Sequence, residues 1–564
     1  MKKYILFIAT AALAFAGCKK EFLNRPPEDQ LSDDTYWTSE SNVRIFAWDF
    51  YPRYFDGYGS GFTWGKYFSG QSLNDDFAPS APTQFIKNIP TSASSTSWGF
   101  SWIRKANLYL NRIQTVPMEE AAVKHWSGIA RFFRTLEYHN LVKRYGDVPW
   151  YGTVLGETDF DQLYKPRDSR ALVVDSMLND LKYAAENVRE SDGDKGLHVN
   201  KAVVLAFMSR IMLYEGTYFK YHNIDQSKAT IYLEAAKWAA DQLITSAKYT
   251  IGDEYRSLFS SLSLASAKEI IMYRKYETGM ITHALASYNY LEPQTGISKD
   301  AVDSYLANDG LPIGVSTAYQ GDNGIDKVMA NRDPRMYATV VNQLRISKYA
   351  SNYSTSGFSL HKFLNESVKN LPEGGGSLNQ TDAPIIRYAE VLLNYAEATA
   401  ELGQLTQADL DKSVNVLRKR TGINMPNLQV MGDQPAINGV LYDDPSRDAT
   451  VSSIIWEIRR ERRIELMMEG FRYDDLRRWK KLDYTDTQAN ADINKGAWIR
   501  KADYPNTDVF IEGGAAEGYI IPATKAESQR PFLDPKVYLD PIPLDQIKLY
   551  EDNGYELKQN PGWQ

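Results

Sequence analysis

From Ser97 to about Ala247 the chain repeats one pattern, apolar and aromatic residues three and four positions apart in runs separated by short breaks. Amphipathic helices joined this closely bury their apolar stripes against one another, which restricts the fold more than any other feature of the sequence. Trp98, Trp102, Leu108, Leu110 and Ile113 mark one helix, and Ile129, Phe132, Phe133, Leu136 and Leu141 mark the next, which Gly146 and Pro149 stop. A second pair is predicted from about Ser169 to Val188 and from about Asn200 to Gly216. An Ala-rich helix follows from about Lys228 to Ala247, its small residues permitting close contact.

Between about Ile251 and Gln380 the pattern gives way to short segments rich in Gly, Ser, Asn and Tyr. Helical spacing returns at Ile385, Tyr388, Leu392, Tyr395 and Thr399, closed by Gly403, with a partner helix from about Thr406 to Arg420. The pairs resemble tetratricopeptide units without a strict period of about 34 residues. The expected fold is mainly α, a tetratricopeptide-like helical-repeat scaffold carrying long loop-rich insertions, in which loops rather than helices carry specificity.

Lys2 and Lys3 precede an apolar run from Tyr4 to Phe15 that ends in small residues, the pattern of a secretory signal over residues 1–17. Cys18 is the only cysteine, so neither a disulfide nor a Cys-rich metal site can form within one copy. Phe15-Ala16-Gly17-Cys18 resembles a bacterial lipobox, with Phe15 in place of the usual leucine. The resemblance implies acylation of Cys18 and anchoring in outer-membrane lipid, where several acyl chains hold a protein that one chain would not. No later stretch of about 20 residues is continuously apolar.

With 64 basic against 71 acidic residues and a net charge of -7, the chain lacks the basic footprint of a nucleic-acid partner. Its six histidines include no His-Glu-x-x-His pair, there is no G-x-S-x-G elbow, and Gly374-Gly375-Gly376 is not followed by the Lys-Ser/Thr of a phosphate loop. No cofactor is implied. A glycosidase needs only two carboxylates about 5 to 10 Å apart, so a glycoside hydrolase stays open as an alternative, as does a helical-repeat interaction protein.

In the charged segment Glu461 to Arg472, residues Ile464, Met467, Met468 and Phe471 fall at i, i+3, i+4 and i+7 and predict one buried stripe. Glu461, Glu465 and Glu469 stack on another face, where like charges repel unless cations such as Arg462, Arg463 or Arg472 intervene, so an ordered ion-pair network is expected.

Several stretches together resemble the SusD/RagB family of Bacteroidota outer-membrane lipoproteins. They are Phe22-Leu23-Asn24 with Pro26-Pro27, Asp34-Thr35-Tyr36-Trp37, Arg131 to Arg134 with Leu141 to Pro149, and Asn331 to Arg335. Pro384 to Leu393, Asn415 to Arg420, Glu461 to Trp479, Pro541 to Pro543 and Gln559 to Trp563 continue the series in order. The resemblance implies a lipoprotein-type signal over 1–17, an N-terminal region over 18–280 and a C-terminal region over 281–564, packed as one compact unit. It also implies binding without turnover: a surface receptor on the cell exterior that captures oligo- or polysaccharide for a SusC-like TonB-dependent transporter. In such relatives the helical face meets the transporter, and ligand lies between an early and a central loop.

Sugar rings present apolar CH faces and a rim of hydroxyls, so their sites combine aromatic platforms with polar partners. Two loops supply such residues. Tyr58, Trp64, Tyr67, Asp75, Asp76 and Gln84 lie in the first, and His283, Tyr288, Asn289 and Tyr290 in the second. These are the candidate glycan contacts, and the resemblance implies that the two loops converge.

Overall fold

A computed structural model describes residues 36–563 except 64, 68–72, 292–295 and 347–353, so Cys18 and Trp64 lie outside the described residues. The helical half consists of α1 (Glu40–Trp48), α2 (Ser101–Ile113), α3 (Glu120–Tyr145), α4 (Arg170–Asn187), α5 (Lys201–Tyr221) and α6 (Gln226–Ser246). Side chains at their entrances fix several starts: Ser169 Oγ accepts from Leu172 N, Asn200 Oδ1 from Val203 N, and Asp225 Oδ1 from Lys228 N. Each such cap stabilises its helix by about 1 kcal/mol.

The predicted pairs α2–α3 and α4–α5 do pack together, but the more extensive seams run between them, α3 against α4 and α5 against α6. Ile129, Phe132, Phe133, Leu136 and Leu141 are all buried in the seam of α3. Ala236, Ala239 and Ala240 of α6 are fully buried, and a Cβ on Gly216 of α5 would lie 2.7 Å from Leu233 Cγ of α6. Only a residue without a side chain allows that approach. Trp98 is buried but precedes α2, which starts at Ser101.

The second half is looser. A short antiparallel sheet joins β1 (Ile270–Arg274) to β2 (Ala383–Arg387), with Ile270 opposite Arg387 and Arg274 opposite Ala383. This sheet ties the regions before and after residue 280 together. Ile385, expected on a helix, therefore belongs to β2, and the helix α7 (Tyr388–Glu401) begins three residues later. The expected partner helix is split into α8 (Gln407–Asp411) and α9 (Val414–Arg418). Every residue of α7 is buried, including Glu390, Glu397 and Glu401. Each carboxylate has a cation brought from elsewhere: Arg210 at 2.6 Å, Arg478 at 2.5 Å and Lys220 at 2.8 Å, respectively. Unpaired, any of them would be too costly to bury.

The charged segment forms α10 (Ser453–Glu465) and α11 (Arg472–Arg478) with a break between them. The predicted stripe is interrupted there, because Met468 and Gly470 adopt φ of 65° and 80°. Side chains take up the carbonyls at this helix end: Tyr255 Oη and Arg387 Nη2 donate to Glu465 O, and Lys362 Nζ donates to Met467 O. Ile464, Met467 and Met468 are still buried, and Phe471 is partly so. An ion network is present, but its cations come from other segments, while Arg462, Arg463 and Arg472 pair with Asp475, Asp76 and Asp75 instead. Glu461 pairs with Arg335 and Arg418, Glu465 with Arg335, Arg387 and Arg420, and Glu469 with Lys362 and Arg387. Among the described residues no helix is long and apolar enough to cross a membrane.

Candidate functional site

The two loops do meet. Gly61 N donates to Thr282 O at 2.8 Å, and the Tyr58 ring lies 5.0 Å from the His283 ring. Most of the residues expected to face a sugar nevertheless face inward. Tyr58, Tyr67 and His283 are 0%, 3% and 0% exposed, and Asn289 is buried as well. Tyr58 Oη donates to Phe259 O, Tyr67 Oη to Pro384 O, and Asn289 Nδ2 to Leu285 O. His283 Nε2 lies 3.0 Å from Thr381 O, and burial lowers its pKa to about 3, so the ring is neutral. These rings are core, not platforms. The reason lies in the tight coiling of the first loop: a Cβ on Gly59, at φ 82°, would stand 2.0 Å from Thr63 O. A loop wound that closely turns its large rings toward β1 and β2.

What remains at the loop junction is smaller. Tyr288 is half-buried and meets the ring of Phe62 edge-on at 6.0 Å, with Phe62 60% exposed. Phe62 escaped the sequence reading, which favoured Tyr and Trp; its position after Gly61 was the available signal. Gln84 is half-buried and donates to Pro82 O at 3.1 Å. The Tyr290 side chain lies outside the described residues.

Asp75 and Asp76 are buried, and they anchor the first loop to the charged segment. Asp75 accepts both Nε and Nη2 of Arg472, at 2.7 and 2.6 Å, while Asp76 accepts Arg463 Nε at 2.9 Å. Burial pushes the Asp75 carboxyl up, but Arg463 and Arg472 outweigh it and hold the group well below the usual carboxylate range. Burial dominates at Asp76, whose carboxyl is raised.

Above these ion pairs lies a cleft of about 560 Å³ whose lining includes Trp456, Trp479 and Tyr484 together with Asp300, Asp444 and Asp448. Its polar groups are held in place before any ligand arrives. Trp456 Nε1 donates to Asp444 at 3.1 Å, and Tyr484 Oη donates to Asp448 at 2.6 Å. Asp300 accepts Arg463 at 2.8 Å and Asn490 at 3.0 Å. Although burial raises it, Lys481 and Tyr484 draw the Asp448 carboxyl far below its ordinary value, so it stays ionised. Half-buried rings beside fixed acceptors and donors suit a ligand with apolar faces and a hydroxyl rim. The sequence reading did not point here, because it gives the stretch that supplies most of the lining, within residues 444–492, a structural role, and could not see Asp75 and residues 300–313 joining it. Among the described residues no group of three or more His, Cys, Asp or Glu side chains is placed to hold a metal ion.

Comparison with known proteins agrees with this architecture. The profile of the SusD family matches residues 268–563, and a second, described as starch-binding associating with outer membrane, matches residues 52–213. The SusD-like protein P38 of Formosa agariphila is 25% identical over 523 residues, covering 85% of this chain and 93% of that protein. A SusD-like carbohydrate binding protein from Bacteroides fragilis superposes with a TM-score of 0.68 at 22% identity, over 92% of this chain and 99% of that one. The surface glycan-binding protein A from Bacteroides fluxus gives a TM-score of 0.60 at 19% identity, over 93% of this chain and 100% of that one. The match to the SusD family over residues 268–563, more than half of the chain, places this chain in that family.

Proposed function

We propose that this protein is a glycan receptor of the outer membrane, anchored through acylated Cys18 on the cell exterior, that captures oligo- or polysaccharide and passes it to a SusC-like TonB-dependent transporter without turnover. The cleft over Trp456 and Tyr484 carries the binding part of this reading: it pairs half-buried rings with carboxylates fixed in place. Relatives named for carbohydrate and glycan binding support the ligand class, and a family segment named for association with the outer membrane supports the location. A hydrolase is disfavoured because the carboxylates of the signature, Glu461, Glu465 and Glu469, are buried and tied to cations.

Each ring face buries on the order of 100 Å² at about 25 cal/mol/Å², roughly 2 to 3 kcal/mol gross. After association costs, affinity falls in the range of about micromolar to millimolar, as suits a receptor that releases its cargo. Calorimetry with a panel of soluble glycans tests this. A glycan that binds the wild type should bind Trp456→Ala at least about tenfold more weakly; equal affinity would take the site away from the cleft. Shortened products after incubation with that glycan would overturn the absence of turnover.

A further inference from the structure

A second cavity, of about 250 Å³, lies between the single helical turn Tyr51–Tyr54, α3, α5 and the break before α11, and opens at the surface beside Arg53 and Asn140. Its walls are strongly basic, yet almost every cation there already has a carboxylate. Arg53 pairs with Glu137 at 2.6 Å, Lys143 with Asp474 at 2.6 Å, Arg210 with Glu390 at 2.6 Å and Arg462 with Asp475 at 2.9 Å. Lys66 is the exception. Among the described residues no carboxylate pairs with its ammonium, which rests instead over the faces of Phe471 at 4.2 Å and Tyr67 at 5.6 Å. Asp56 lines the same cavity beyond ion-pair distance of Lys66, and burial pushes its carboxyl up. Tyr214 of α5 also lines the cavity; it is 4% exposed and its hydroxyl has no hydrogen-bond partner.

We infer that this cavity is a binding site for one small oxyanion, a carboxylate or a sulfate, held by the Lys66 ammonium and the Tyr214 hydroxyl. Both groups can donate, and a half-buried ammonium that lacks a directly paired carboxylate is stabilised by an anion placed beside it. A cation would be repelled by the Lys66 ammonium, and a neutral ligand would leave that ammonium unpaired. The volume suits an ion or a single acidic substituent rather than an oligosaccharide. That oxyanion can be a free ion or the uronate or sulfate ester of an acidic glycan, and the two sources share one chemistry. The inference does not depend on the Trp456 cleft.

Thermal melts and calorimetry of the full mature protein would use sodium sulfate, sodium glucuronate and neutral glucose, with ionic strength held constant by sodium chloride. The wild type should be stabilised by sulfate or glucuronate and not by glucose, with Tyr214→Phe binding several-fold more weakly. Lys66→Met, of similar length and uncharged, should melt no lower than the wild type without the anion and should lose at least tenfold in anion affinity. Burial lowers the Lys66 pKa to about 8, so wild-type affinity should fall as pH rises from 7 to 9. Tighter binding of glucuronate than sulfate would assign the site to a uronate-bearing glycan, and the reverse to sulfate, whose free and esterified forms a sulfated monosaccharide added to the series would tell apart. Failure of both anions to bind the wild type, or equal binding by Lys66→Met, would overturn the site. Trp456→Ala should bind the anion normally, which keeps this test separate from that of the cleft.

Discussion

Arg387 donates to Glu465 at 2.7 Å across the seam between β2 and α10, and both side chains are closed to water. The same guanidinium reaches Glu469 and Glu269, and its Nη2 donates to Glu465 O at the helix end. One side chain thus bridges three carboxylates from two segments and satisfies an orphan carbonyl. Arg387→Gln should cost about 3 to 5 kcal/mol, because it leaves buried carboxylates without their shared cation. Urea unfolding monitored by tryptophan fluorescence would measure it. A loss below about 1 kcal/mol would mean that Arg420 and Lys362 suffice without Arg387.

Buried histidines make the fold sensitive to mild acid. Burial lowers His283 and His222 to about 3 and His125 to about 4, against about 6.5 when unfolded. Between those values the unfolded chain binds more protons than the folded one, so stability falls as pH drops from 6.5 toward 4. The slope is up to about 1.4 kcal/mol per pH unit for each histidine. Glu397, lowered to about 2 chiefly by Arg478 against the opposing effect of burial, adds a second loss only below about pH 4.5. Chemical denaturation at pH 7, 6 and 5 should give a falling series. A flat series across that range would show that these rings are not held neutral as their surroundings require.

Much of the fold was legible because helix pairing is a local property. Phe132, Phe133 and Leu136 repeat at helical spacing and bury where the spacing says they should. The helix end after Glu465 was not legible. Met468 is no helix breaker by type, and what ends α10 is the set of donors that arrives from Tyr255, Lys362 and Arg387, more than 70 residues away. The same non-locality explains the site. The convergence of the two loops followed from the family resemblance, but whether Tyr58 points outward depends on Gly59 and Thr63 coiling the chain beneath it. The cleft joins Asp300 to Tyr484, and no local pattern announces such a pairing.

The proposed anchoring through Cys18 rests on the leader sequence alone. In the native host, Cys18→Ala should move the protein from the membrane pellet to the soluble or misprocessed fraction, since multiple acyl chains are what make such attachment stable. Retention in the pellet equal to wild type after a high-salt wash would mean that something other than lipid at Cys18 holds it.

The last prediction separates ring from ring within one loop. Tyr58 and Phe62 are four residues apart, yet Tyr58 is 0% exposed, with rings of Tyr67, Tyr276 and His283 around it, while Phe62 is 60% exposed with Tyr288 at its edge. Removing the Tyr58 ring leaves a cavity and strips Phe259 O of its partner, so Tyr58→Ala should cost roughly 3 to 5 kcal/mol. Phe62→Ala removes little buried area and should stay within about 0.5 kcal/mol of wild type. For binding, the cleft reading gives Phe62→Ala an affinity within about threefold of wild type. The competing reading, that sugar stacks on the Phe62 and Tyr288 edge, gives it a loss of tenfold or more with an unchanged melting temperature. Paired melts and calorimetry on Phe62→Ala and Trp456→Ala, with the same glycan, decide between them. A tenfold loss in the first with none in the second would move the site from the cleft to the loop junction.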